Sequence, residues 1–234
     1  MVSVPISIME MNPSTTQPPA PTLVIDGSGS AVFAGVMGTN GKWLAHSEQD
    51  GAPLESLFPA IEATLAAAQL ILADIRSFIY CEGPGSVLGL RLCAMAVETW
   101  SRLHPESAHY FTYNSLQLTA ALICKDTPGI DPALLVSDWK KGAWNAVKIS
   151  DGQPGTTAVA DDATLANWTG PLYHLPQRKG WQKPPANAIP VEYHPDRLAE
   201  VFHLPRPTKS VELYASGINV FQKWTPDRHR APTS

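Results

Sequence analysis

The alternation of apolar and polar positions divides the chain into a legible first half and a weakly patterned second half. Residues 22–26, "TLVID", are almost continuously apolar, as in a strand covered on both faces. "AVFAGVMG" and "KWLAHSE" follow on either side of "TNG", whose Asn and Gly accept the positive φ that a hairpin turn needs. The three runs predict an antiparallel meander. Over residues 53–69, Leu54, Leu57, Phe58, Ile61, Leu65 and Ala68 recur at helical spacing and predict one stripe facing a sheet. Ala60, Ala63 and Ala67 form a second stripe, small enough for another helix to approach closely. Pro59 predicts a late start or a bend. "RSFIYCEG" predicts a fourth strand. Residues 86–104, "SVLGLRLCAMAVETWSRLH", predict a helix whose polar positions are chiefly Arg91, Glu98 and Thr99. A helix that apolar needs cover on more than one side. A sheet supplies one side; the neighbouring helix or a second protein must supply the other.

Further on, "SLQLTAALIC" predicts a helix, and "ALLVSDWKKGAWNAVKIS" predicts two strands around a "KKG" turn. From residue 151 to 209 the pattern is weak and prolines recur, so the connections across 170–208 cannot be traced. "VELYASG", residues 211–217, is a candidate for a last strand.

Composition narrows the classes. A chain of 234 residues, 44% of them apolar, suits one large globular domain or two small ones. A formal net charge of −4 does not suit a broad nucleic-acid footprint. Cys81, Cys93 and Cys124 are widely spaced and include no C-x-x-C pair, which argues against a zinc knuckle or a disulfide framework and for a reducing compartment. No apolar run approaches the roughly 20 residues that span a bilayer. The first 21 residues lack a basic n-region and a long apolar run, and they predict a disordered Pro/Thr-rich tail.

Two glycine-rich turns are the candidates for chemistry. In "VIDGSGS", residues 24–30, Asp26 closes a buried strand and Gly27 and Ser28 follow, as where a backbone approaches a phosphate. A plain hairpin turn accounts for the same residues. In "CEGPGSVLGLRL", residues 81–92, Gly83, Pro84 and Gly85 form the turn and Ser86 stands at the N-cap. Free amides and the helix dipole there favour an anion, while a capped helix start is the alternative. The P-loop lysine is absent, and a preceding meander rather than a βαβ unit excludes a dinucleotide fingerprint. Glu82 adds a negative charge beside the turn that disfavours phosphate by about 1 kcal/mol or more if close. No two histidines stand at i, i+4, and no G-x-S-x-G elbow exists, so neither a helical metal site nor a hydrolase nucleophile is expected.

Taken in order, these motifs resemble a family. "LVIDGSGS", a hairpin, a helix, a short strand and "GPGSVLGLRL" opening an apolar helix resemble the bacterial dimerisation subunits of threonylcarbamoyl-adenosine synthesis, the TsaB (YeaZ) family. That family carries I-D-T-S near its start and G-P-G-S-F-T-G-L/V-R-I at the second helix. Here Gly83, Pro84, Gly85, Ser86, Gly89, Leu90 and Arg91 match. "DWKKGAWNAVKI" is similar to the family hairpin D-A-R-x-G-E-V-Y-x-A through Asp138 and Gly142. "VELYASGINVFQKW" is loosely similar to its P-x-Y-L-R segment through Tyr214. The likeness is good over residues 23–102, moderate to 149 and thin beyond. Leu88 replaces the usual Thr, the first turn reads D-G-S-G, and Cys81–Glu82 precede the GPG.

The resemblance implies an α/β chain with the actin-like (ASKHA, ribonuclease H-like) fold: two lobes of mixed sheets flanked by helices, the second lobe divergent. It divides the chain into a tail at 1–21, an N-terminal lobe at 22–109 with the dimerisation helices, and a C-terminal lobe at 110–234. It implies a non-catalytic scaffold subunit of the complex that forms N6-threonylcarbamoyladenosine beside the tRNA anticodon. A catalytic paralogue, TsaD, would hold the metal and ATP or ADP, and a small ATPase, TsaE, would join. The chain itself would carry no metal, cofactor or catalytic residue, pair with itself when alone, meet tRNA only through the complex, and work in the cytoplasm, away from membranes. Asp26, Gly27, Ser28, Gly83, Gly85 and Ser86 would be vestigial or nucleotide-proximal phosphate turns. Ala60, Ala63, Ala67, Leu88, Gly89, Leu92, Cys93, Met95 and Ala96 would meet the partner. On the long helix, Leu88, Leu92, Met95 and Thr99 share one face and Gly89, Cys93, Ala96 and Trp100 an adjacent one; the sequence leaves open which faces outward. The alternative from another class is an ATP-dependent small-molecule kinase of the actin-like superfamily, built on Asp26 and the two glycine turns.

Overall fold

The structure, a computed structural model, describes residues 17–104, 108–176 and 183–215. Two mixed β-sheets carry helices on their faces, and one helix is held between them. Strands β1 (Thr22–Asp26), β2 (Ala31–Met37) and β3 (Trp43–Asp50) form the expected antiparallel meander, with Leu23 opposite Val36 and Ile25 opposite Ala34. Helix α1 (Pro53–Ala68) leads to β4 (Ser77–Gly83), which pairs parallel with β1. Helix α2 (Val87–Leu103) crosses over to β5 (His109–Asn114), parallel with β4. The central strands β1 and β4 are covered on both faces, which is why they read as unbroken apolar runs.

Helix α3 (Ser115–Asp126) starts at the end of β5, where Asn114 Oδ1 accepts from the N–H groups of Leu116 (3.1 Å) and Gln117 (3.2 Å). The second sheet is built on the hairpin of β6 (Ala133–Lys140) and β7 (Ala143–Ser150). Strands β8 (Gln153–Pro154) and β9 (Ala158–Asp161) pair with β7. After α4 (Asp162–Ala166), β10 (Leu172–Leu175) runs parallel with β6, and β11 (Ile189–Pro190) runs parallel with β10. A 3-10 stretch, Pro195–Val201, returns the chain to the first sheet, and β12 (Arg206–Thr208) pairs with the β5 edge.

Several expectations are corrected. The weak region 151–209 holds four short strands, β9 to β12, besides β8 and a one-turn helix. Those strands are two to four residues long, too short to display a period, so the pattern hid them. The first sheet takes in β5 and β12, so it is not confined to residues 22–109. Of the predicted tail, residues 17–21 are in place: Pro18 is buried, and Pro19 O accepts from Thr22 Oγ1 (3.0 Å) and from Ser77 Oγ. Residues 1–16 lie outside the described residues. Residues 211–215 form no strand, although they lie against β4: the Tyr80 hydroxyl donates to Glu212 O and accepts from Glu212 N–H, each at 2.9 Å. The rest of "VELYASGINVFQKW" lies outside the described residues.

Helix α1 does not start late: it begins at Pro53 and runs on through Pro59, which faces solvent, where water can serve the carbonyl that loses its N–H partner. Its buried face is Ser56, Leu57, Ala60, Ile61 and Thr64, whereas Leu54 and Phe58 are exposed. The phase is turned by polar anchors. Ser56 Oγ donates to Asp50 O (3.0 Å), Thr64 Oγ1 donates to Ala34 O (3.1 Å), and Ser47 Oγ donates to Ala60 O (2.8 Å). An apolar count cannot see those bonds.

Candidate functional site

The first turn, Asp26–Ser30, opens onto a cleft of about 320 Å³ between the two sheets. Asp26 is only 1% exposed, and a carboxylate so placed needs donors. It has three. Ser28 N–H donates to Oδ1 at 2.6 Å, and the hydroxyls of Tyr113 and Tyr193 both donate to Oδ2, the latter at 2.5 Å. Burial, and then the nearby Asp26 charge, push both phenols well above the usual tyrosine range, so they stay protonated and can donate. Burial likewise pushes the adjoining Cys81 thiol up, which leaves it unreactive.

The second turn folds onto the first. Gly83 ends β4 at φ +108°, and Ser86 caps α2 by accepting from Gly89 N–H at 3.4 Å. Ser86 N–H donates to Ser28 O at 2.9 Å. A Cβ on Gly85 would stand 2.5 Å from Ser28 O, and one on Gly89 would stand 2.0 Å from Gly27 O. The glycines therefore let two backbone turns touch. The amides of Ser28, Ser86 and Gly89 already have acceptors within the chain. The described residues lining the cleft include the carboxylates of Asp26, Glu48 and Glu192 and no lysine or arginine. This arrangement suits turn-to-turn packing better than phosphate. The charge of Glu82 is not aimed at the cleft: Glu82 is buried, meets Arg206 at 2.5 Å and lies 3.3 Å from Asn114 Nδ2. Among the described residues no group of three or more His, Cys, Asp and Glu side chains is placed to hold a metal ion.

The partner-facing candidates separate cleanly. Ala60, Gly89, Cys93 and Ala96 are buried inside the chain, packed beneath α1 and α2 or against Gly27, and so do not offer a surface. Ala63 and Ala67 are exposed on α1. On α2, Leu88 (55% exposed), Met95 (63%) and Thr99 face outward with Leu92 half-buried between them. Leu103, 75% exposed, extends the stripe by one turn. The structure thus decides which face of α2 is free. Met95, Glu98, Thr99, Arg102 and Leu103 line a shallow groove on it.

Sequence reasoning missed Tyr113, Tyr193 and Arg206. Each is fixed by pairing across more than 80 residues (Tyr113 and Tyr193 with Asp26, Arg206 with Glu82), and none sits in a periodic segment that shows its partner. The one available signal was Asp26 itself, a carboxylate in a buried strand that had to find donors.

No family model matches the chain, and no curated protein matches it. Among solved structures, YeaZ from Pseudomonas aeruginosa superposes with a TM-score of 0.52 at 17% identity, over 66% of this chain and 74% of its own. A second structure, an "uncharacterized protein with similarity to peptidase YEAZ from Pseudomonas aeruginosa", gives a TM-score of 0.52 at 16% identity over 84% of each chain. The chain therefore has a YeaZ-like fold, the actin-like arrangement of two mixed sheets flanked by helices. No helix among the described residues is long and apolar enough to cross a membrane.

Proposed function

We propose that this chain is a non-catalytic pairing subunit that presents the outward face of α2 to a second protein. The observation that carries the reading is the stripe Leu88, Leu92, Met95, Thr99 and Leu103. It lies on a helix whose opposite face is already buried in the chain. An apolar stripe left in water on an ordered helix marks an interaction surface. Two such helices, each with α1 beside it, would pack as a four-helix bundle. The YeaZ-like fold and the GPGS…GLR motif support membership of the complex that forms N6-threonylcarbamoyladenosine beside the tRNA anticodon. In that complex TsaD holds metal and nucleotide, TsaE joins, and tRNA is reached through the assembly in the cytoplasm. The chain pairs with itself when alone. The kinase alternative has less support, because the cleft lining described above carries carboxylates and no cation to hold phosphates.

The test is sedimentation of the full chain, alone and with the catalytic paralogue, against Met95→Glu and Leu88→Glu. Both positions are exposed, so each variant is expected to fold as a monomer with wild-type circular dichroism. Loss of association with both partners is the expected result. Association that survives both changes removes α2 as the pairing face. Micromolar ATP binding with turnover by the isolated chain restores the kinase.

A further inference from the structure

Tyr193 belongs to the segment between β11 and the 3-10 stretch, and its ring packs against both the first-sheet and the second-sheet cores. Its hydroxyl donates to Asp26 Oδ2 at 2.5 Å. The other oxygen of Asp26 accepts from Ser28 N–H at 2.6 Å, and Ser28 O accepts from Ser86 N–H at 2.9 Å. Ser86 is the cap of α2. Gly27, between Asp26 and Ser28, touches Gly89 in the first turn of that helix. Contact is therefore continuous from the second lobe to the start of α2. Asp26, Gly27, Ser28 and Gly89 are buried, and in such a setting the loss of a link between polar groups is costly. Trp43 adds a second tie from the first sheet, to the 3-10 stretch that follows, its indole N–H donating to Asp196 O at 2.5 Å.

We infer that Tyr193 is a positioning residue for α2: by fixing the Asp26 turn it lets the second lobe set the pose of the helix face offered to a partner. The inference rests on the reading of that face as the pairing surface. Whatever withdraws Tyr193 from Asp26 loosens the first turn of α2 and weakens pairing. By linkage, a partner that pins α2 tightens the hold of Tyr193.

Tyr193→Phe keeps the ring and removes only the hydroxyl. In amide hydrogen exchange on the full chain, losing a bond to a charged group is expected to speed exchange at residues 86–90 roughly tenfold or more. The amides of β6 and β7 keep their protection. A uniform rise across the chain, the mark of a merely structural role, overturns the inference, as does no change at 86–90. A second measurement needs no variant. In the wild-type chain under rising denaturant, residues 86–90 and 191–194 are expected to open together as one unit. Independent opening overturns the inference. Self-association of Tyr193→Phe is measured alongside and is expected to weaken by roughly tenfold, in step with the lost bond. A wild-type chain that pairs with nothing while the exchange results hold sinks the pairing reading and leaves the positioning role standing.

Discussion

Helices α2 and α3 carry similarly apolar sequences and meet opposite fates. Helix α3 lies between the sheets. Leu118, Ala121 and Leu122 pack on the first, and Leu116, Ala120 and Ile123 pack on the second. Its apolar surface is consumed inside the chain. Helix α2 lies on the outer face of the first sheet, where Cys93, Ala96 and Val97 are buried and Leu88, Met95 and Leu103 are not. Apolar content alone therefore does not mark an interface. What marks it is apolar content in excess of what the topology can cover, and α2 has that excess where α3 does not.

The widest gap between the two helices is expected in core truncation. Leu118 is 0% exposed, so Leu118→Ala is expected to cost about 2–5 kcal/mol in urea unfolding, from lost transfer energy and the cavity left behind. Met95→Ala, measured on the dissociated chain, is expected to stay within about 0.5 kcal/mol of wild type. A comparable loss at Met95 would mean that something within the chain covers α2 after all. The two faces of α2 itself give a smaller contrast. Gly89→Ala puts a methyl group where Gly27 O already stands, and that main-chain atom cannot swing aside as a side chain could. The overpacking is expected to cost about 1–3 kcal/mol. Cost-free substitution at Gly89 would show that the two turns can part.

How far the sequence foretold this molecule follows from the range of the interactions. The meander, α1, β4, α2, α3 and the β6–β7 hairpin are long enough to show a period, and their turns and caps are local. Asn-Gly at 40–41 and Ser86 before Val87 announce themselves within four residues. The surplus of apolar positions on α2 was visible too, but not its outward direction. That depended on Gly89 meeting Gly27, a contact across 62 positions of chain. The chain after residue 150 was opaque because β8 to β12 are two to four residues long and held by neighbours. Tyr193 donates to the buried Asp26 carboxylate and Arg206 pairs with buried Glu82, and both carboxylates lie far upstream. At the glycine turns, sequence alone allowed phosphate binding or turn packing, since both need small residues and free backbone. Only the hydrogen-bond partners of the amides separate the two.

The smallest effect concerns how α3 is closed off at its C-terminal end. Arg197 of the 3-10 stretch meets Asp126 at 2.7 Å and Glu200 at 2.8 Å, and Lys125 meets Glu200 at 2.9 Å. These pairs tie the returning chain across the last turn of α3. The Arg197 guanidinium, and after it Lys125, hold the Glu200 carboxyl down to about 2. A carboxyl depressed in the fold stabilises it above the unfolded value of about 4.3, and that contribution is lost as pH falls toward 2. The Glu200 side chain is 37% exposed, so solvent screens the pair and the gain stays below about 1 kcal/mol. Glu200→Gln is therefore expected to lower stability slightly at pH 7 and low salt. The difference from wild type should shrink both at 1 M salt and on acidification below pH 4, because each removes what the variant lacks. If the wild type and Glu200→Gln have the same urea midpoint at pH 7 and low salt, the ion pairs do not fasten the returning chain. The enclosure of α3 then rests on Leu198 and Val201, which pack on it from the same 3-10 stretch.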